Sequence, residues 1–151
     1  MDAEETLGVV FSDALAEVIA TVTSVYLQCA PSDDDAGLDD ITGVMSLSSK
    51  KGGILFITAN EADIRELCSC MTGAAVEELT EKDVEDTLCE FVNMTAGNAK
   101  LRLSDPDYMF TLSTPFVIKG KDMSIAAKSR TTVISRAFGN GEISLKLKFV
   151  C

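Results

Sequence analysis

Apolar residues recur along this chain with two different periods, and the changes of period mark its elements. Over residues 4–24, Leu7, Val10, Phe11, Ala14, Val18 and Val22 fall three or four apart, the stripe of a helix with one buried face. Residues 41–48 and 53–58 are short β-branched runs, joined by a hairpin turn over 49–52 in which Lys50, Lys51 and Gly52 precede Gly53. Helical spacing returns over 61–71 and stops at Gly73, a residue suited to a C-terminal cap. A longer helix follows over 81–102, with Thr80 and Asp83 as an N-terminal capping pair and Lys100 and Arg102 complementing the dipole at the far end. Alternation then predicts strands over 108–118 and 124–137, a hairpin turn over 138–141, and a last strand over 142–150. In that strand Ile143, Leu145, Leu147 and Phe149 point one way, and Ser144, Lys146 and Lys148 the other. Together these elements predict an α+β layer, an antiparallel β-sheet with long helices packed on one face.

Composition narrows the chemistry. At 151 residues and 46% hydrophobic, one domain over 1–151 has enough core to fold without staples. The apolar stretch 6–22 is interrupted by Asp13 and Glu17, so it reads as an amphipathic helix and not as a signal peptide or membrane span, and a cytoplasmic protein is expected. Cys29, Cys68, Cys70, Cys89 and Cys151 are odd in number and form no C-x-x-C pair, so they read as incidental thiols. Histidine is absent, which excludes Ser-His-Asp and Cys-His catalysis and the usual zinc sites within this chain. Gly120-Lys121 lacks the upstream glycine of a phosphate loop, because Pro115 stands in its place. Net charge is −11, with 20 acids and 4 bases in residues 1–90 against 4 acids and 9 bases in 91–151. So acidic a front half repels a phosphate backbone and argues against nucleic acid. The acidic run 32–40 lacks the spacing and terminal glutamate of an EF-hand loop and reads as a solvated loop. Any catalysis must use carboxylates, amides or groups supplied by a partner.

The long helix offers such groups. At about 100° per residue, Val84, Leu88, Phe91, Val92 and Thr95 gather on one side, and Asp86, Glu90 and Asn93 on the other. Most Glu-x-x-Asn spacings on helices are ordinary solvated surface, and here the continuation Met94-Thr95-Ala96-Gly97-Asn98-Ala99 changes the picture. Gly97 falls on the same face one turn beyond Asn93, where it costs the helix about 1 kcal/mol relative to alanine but lets another surface approach closely. Asn98 opens toward the flank, where a solvated helix more often carries Lys or Glu. In the first helix, Asp13-x-x-x-Glu17-x-x-Ala20 echoes the spacing of Asp86, Glu90 and Asn93 with alanine in place of the amide.

The run Asp86, Glu90, Asn93, Gly97-Asn98-Ala99, with Pro115 after it, resembles the signature of the CheC/CheX/FliY family of chemotaxis phosphatases. The Gly-Asn-Ala tail and the single full copy look most like the CheX branch. The resemblance implies a duplicated half with pseudo-twofold symmetry, in which Asp13 and Glu17 mark a copy that has lost its carboxamide. It also implies a homodimer formed by joining sheets edge to edge, to which the last strand could contribute, although Lys146 and Lys148 read equally as protection of an edge. The implied activity is dephosphorylation of the phosphoaspartate of a CheY-type response-regulator receiver. Asn93 would orient the attacking water and Glu90 would pair with the receiver's active-site lysine, while Asp86 and Gly97 would contact the partner and Asn98 would either contact it or hold the helix to a neighbouring loop. No cofactor or metal is expected in this chain, since Mg²⁺ would arrive with the phosphorylated receiver. The alternative is a non-catalytic module that binds a receiver or a flagellar-switch component.

Overall fold

Capping chemistry starts both long helices. In a computed structural model that describes residues 2–32 and 37–151, α1 (Ala3–Thr23) opens with Glu5 N–H donating to the Asp2 carboxylate at 2.8 Å and Asp2 N–H donating back to Glu5 at 3.2 Å. α2 (Glu61–Thr72) ends on Gly73, whose φ of 79° is the left-handed value that favours glycine. In α3 (Glu81–Arg102), Asp83 N–H donates to Thr80 Oγ1 at 3.1 Å and Thr80 N–H to Asp83 Oδ2 at 2.9 Å. The pairing read from the sequence is thus the one that forms.

The strands β1 (Gln28–Pro31), β2 (Ile41–Ser48), β3 (Gly53–Ala59), β4 (Thr111–Leu112), β5 (Phe116–Lys119), β6 (Val133–Gly139) and β7 (Ser144–Val150) form one antiparallel sheet. Its order is β1-β6-β7-β3-β2-β4, with β5 also on β2. β3 and β7 pair at the centre, and each half of the chain lends the strand or strands that follow its long helix to the other half's hairpin, β1 to β6, and β4 and β5 to β2. This exchange is the pseudo-twofold repeat. The helices share one face, and their stripes meet Met45, Leu47, Leu55, Ile57, Leu145, Leu147 and Phe149 in a single core, with the Phe11 and Phe149 rings 4.6 Å apart. Each fully buried aliphatic or aromatic side chain there contributes about 1.5–3 kcal/mol.

Several expectations are corrected. The predicted strand 108–118 is broken into a 3₁₀ turn (Pro106–Tyr108), β4 and β5. Pro115 has no N–H for the ladder. Ser113 also holds Ser46 on both sides, donating its N–H to Ser46 O at 3.0 Å while its Oγ accepts from Ser46 N–H at 2.9 Å. The predicted strand 124–137 begins only at Val133, because residues 128–131 turn, with Thr131 N–H on Lys128 O and Arg130 at φ 72°. β1 escaped the sequence reading because it is four exposed residues ending in proline. Lys148 is not edge protection: β7 is paired on both sides, and Lys148 is fully buried, its Nζ donating to Ser135 Oγ at 2.9 Å. The last strand therefore offers no edge for dimer formation.

The sheet face away from the helices is also partly covered. Thr42 and Thr58 are buried there with their hydroxyls 2.8 Å apart, and Asp39 N–H donates to Thr58 Oγ1. α1 is, by length and a mean hydropathy of 1.5, apolar enough to cross a membrane, contrary to the sequence reading, and half of that window is buried against the protein's own core. Of the run 32–40 read as a solvated loop, residues 33–36 lie outside those described, while Asp39 N–H donates to Thr58 Oγ1 and Asp40 Oδ1 accepts from Glu61 N–H.

Candidate functional site: an exposed acid–amide pair beside a cleft

Close packing sets α3 on the sheet. Gly43 of β2 lies directly beneath it, where a Cβ would come within 2.6 Å of Val92 Cγ2 and 3.1 Å of Leu88 Cγ. Val84, Leu88, Phe91, Val92, Ala96 and Ala99 are fully buried, which turns the opposite face of α3 outward. The expected face forms: Asp86, Glu90 and Asn93 are all exposed.

Those three residues differ in what their side chains do. Asp86 pairs with Lys82 one turn earlier at 3.3 Å, an exposed pair of small energetic weight. Glu90 and Asn93 make no side-chain hydrogen bond or ion pair among the described residues. They line a cleft of about 420 Å³ together with Asp86, Cys89, Leu112, Ser113, Thr114 and Pro115. The interruption between β4 and β5 thus forms the wall opposite the acid–amide pair. Pro115 belongs to the motif read in the sequence. Ser113 and Thr114 were not singled out, and the only signal for them was their place before that proline.

Gly97 lies beyond Asn93 with nothing within 4 Å of where a Cβ would stand, so packing within the chain does not require glycine there. Asn98 is engaged internally. Its Oδ1 accepts from Arg102 Nε at 2.5 Å and its Nδ2 lies 3.4 Å from Glu17 Oε2, which Arg102 also grips. Asn98 therefore clasps α3 to α1. The same clasp occupies Glu17, and Ala20 has no amide, so the echo in α1 presents no free acid–amide pair.

Electrostatics leave Cys89 inert. Burial first, then the Asp86 and Glu85 carboxylates, push its thiol pKa up, so it is uncharged at neutral pH and a poor nucleophile. Lys119 of β5 donates to Glu85 at 2.9 Å and fastens the sheet edge to α3; that hydrogen bond raises its pKa and keeps it charged. Among the described residues no cluster of three or more His, Cys, Asp or Glu side chains could hold a metal ion. The site can offer one carboxylate, one neutral amide and room for a partner's groups.

Comparisons with known proteins point the same way. A "CheC-like superfamily protein" from Shewanella sp. PV-4 superposes with a TM-score of 0.81 at 29% identity, covering 99% of this chain and 98% of that one. CheX from Vibrio vulnificus superposes with a TM-score of 0.78 at 26% identity, covering 94% and 95%. CheX from Borrelia burgdorferi, solved in a complex with CheY, BeF₃ and Mg²⁺, shares the fold at 15% identity, with a TM-score of 0.71 and 94% of each chain covered. No curated protein matches by sequence. The family model for chemotaxis phosphatase CheX matches residues 41–139, well over half the chain and all of α3, and this protein belongs to that family.

Proposed function

We propose that this protein removes the phosphoryl group from the phosphoaspartate of a CheY-type receiver, with Asn93 positioning the water and Glu90 docking the receiver. The observation that supports this most is the pairing of two exposed, unengaged side chains, Glu90 and Asn93, one turn apart on a cleft wall of a CheX-family fold. Phosphoaspartate is an acyl phosphate. Water attacks phosphorus in line, the phosphorus–oxygen bond to the aspartate breaks, and inorganic phosphate and a free carboxylate remain. Mg²⁺ and lysine belonging to the receiver neutralise the oxygens, and the missing element is a held water. A neutral amide suits that task, since its oxygen accepts from the water and its N–H₂ donates without adding negative charge near the phosphoryl group. Orienting one water in this way accounts for about 10²–10³-fold in rate, or roughly 3–4 kcal/mol. Glu90 meets the receiver's lysine in a charge-assisted contact that strengthens as the interface excludes water.

Asp86 supports docking at the rim of the cleft, and Gly97 admits the partner's backbone. The working unit is one CheX-like domain over 1–151, acting in the cytoplasm as a homodimer whose sheet joins through β1 or the β4–β5 edge, the strands unpaired on one side among the described residues. The test follows phosphate release from a phosphorylated CheY-type receiver with Mg²⁺, with and without this protein and its Glu90→Ala variant. Acceleration of about 10²-fold or more by the native protein, with a higher receiver requirement for Glu90→Ala, supports the reading. Binding to the receiver without acceleration makes the chain a docking module instead.

A further inference from the structure

A second groove adjoins the catalytic cleft. It runs between the C-terminal end of α2 and the N-terminal half of α3, encloses about 450 Å³, and shares Asp86 and Glu90 with the first. Met71, Ala74 and Leu79 give it apolar surface, while Asp83, Asp86 and Glu90 supply carboxylates. Its deeper polar atoms are matched within the chain: Thr87 Oγ1 donates to Cys68 Sγ at 3.0 Å, and Cys68 Sγ lies 3.7 Å from the Asp83 carbonyl oxygen. An occupant therefore meets an apolar floor that asks for no hydrogen bond and a mouth of negative charge. Two cations stand near those carboxylates: Lys82, held to Asp86 in an exposed pair that exchanges readily, and Arg65, already engaged, with Nη1 donating to Leu79 O at 2.7 Å and Nη2 paired with Glu61.

We infer that this groove receives a lysine or arginine side chain from the receiver's surface beside its phosphorylation site. The inference rests on the receiver being the partner. The methylene stem lies on Met71, Ala74 and Leu79, and the cationic head sits between Asp86 and Asp83, displacing Lys82. An acidic side chain is repelled there, and a wholly apolar one strips water from carboxylates without compensating them. Because Asp86 and Glu90 line both the groove and the cleft, which flank them on either side, a partner seated on Asn93 reaches the groove across one helical ridge. Asp86 thereby acquires a defined role as the carboxylate that selects receivers carrying a cation at this position.

The experiment uses Ala74→Arg, which places a cation in the groove from within, and Asp86→Asn, which keeps size and removes charge. Two quantities are read: the KM for dephosphorylation of a CheY-type receiver charged with acetyl phosphate, and the Kd for the same receiver activated by beryllofluoride and Mg²⁺. Both are expected to rise about tenfold or more in each variant, while the rate at saturating receiver falls by less than about threefold. Affinity should also depend less steeply on salt in Asp86→Asn than in the native protein. An active native protein whose KM, Kd and salt dependence are unchanged by both substitutions overturns the groove and leaves the receiver reading standing. A native protein that neither binds nor accelerates decay of the receiver overturns that reading, and the groove with it.

Discussion

At the scale of single residues, Glu90 and Asn93 stand out for having no structural task. Several polar neighbours on α3 are employed: Asp83 in the cap, Glu85 on Lys119, Asp86 on Lys82, and Asn98 on Arg102. Truncating Glu90 or Asn93 to alanine should therefore leave stability within about 0.5 kcal/mol of native by urea unfolding, whatever it does to activity. A larger loss would show that the pair serves the fold. Gly97→Ala should act in opposite directions on two readouts. Unfolding free energy rises by up to about 1 kcal/mol, because a Cβ there has open space and alanine favours helix, while the Kd for activated receiver increases. Unchanged binding would remove Gly97 from the interface. Spacing alone was enough to place Glu90, Asn93 and Gly97 on the outward side of α3. It could not show that Asn98 is occupied, because its partner Glu17 lies 81 residues away in the chain. It passed over Ser113 and Thr114, whose role depends on where a strand is interrupted.

At the scale of elements, the site depends on how α3 starts and where it rests. Thr80→Ala removes half of the capping box and should cost about 1 kcal/mol at neutral pH. The backbone and hydroxyl hydrogen bonds from Thr80 hold the Asp83 carboxyl below its usual range. A depressed folded-state pKa gives stability that is present above the unfolded carboxyl pKa of about 4 and is lost as pH falls through the folded value. The stability gap between native and Thr80→Ala should accordingly narrow on acidification toward pH 3 in urea titrations; a gap independent of pH would contradict the cap. Gly43→Ala should lower stability by about 1–3 kcal/mol, since the new methyl meets Val92 and Leu88, and should slow receiver dephosphorylation as α3 shifts on the sheet. Native stability in that variant would mean that α3 does not bear closely on β2. The helices and the β2–β3 hairpin were readable because period and caps agree. The broken β4–β5 strand was not, because Phe110, Leu112, Phe116 and Ile118 keep an alternating pattern across Ser113–Pro115 while the ladder between them is lost.

At the scale of the whole molecule, the exchanged strands explain the central position of β3 and β7 in the sheet. β1 and β5 are short, and what identifies them is the hairpin each one joins, information that no local window of sequence carries. The buried Lys148 shows the same limit: a lysine alternating with apolar residues reads as solvent-facing until chain from elsewhere covers that face. Glu17 on α1 is clasped by Arg102, whereas Glu90 on α3 has no partner among the described residues, so one site per chain is proposed. The most direct test of that site is single-turnover decay of a phosphorylated CheY-type receiver with Mg²⁺, at saturating native protein and at saturating Asn93→Ala. The account predicts that Asn93→Ala binds beryllofluoride-activated receiver with near-native affinity while the decay rate falls about 10²-fold or more, to that of the receiver alone. Decay as fast with Asn93→Ala as with the native protein would contradict it.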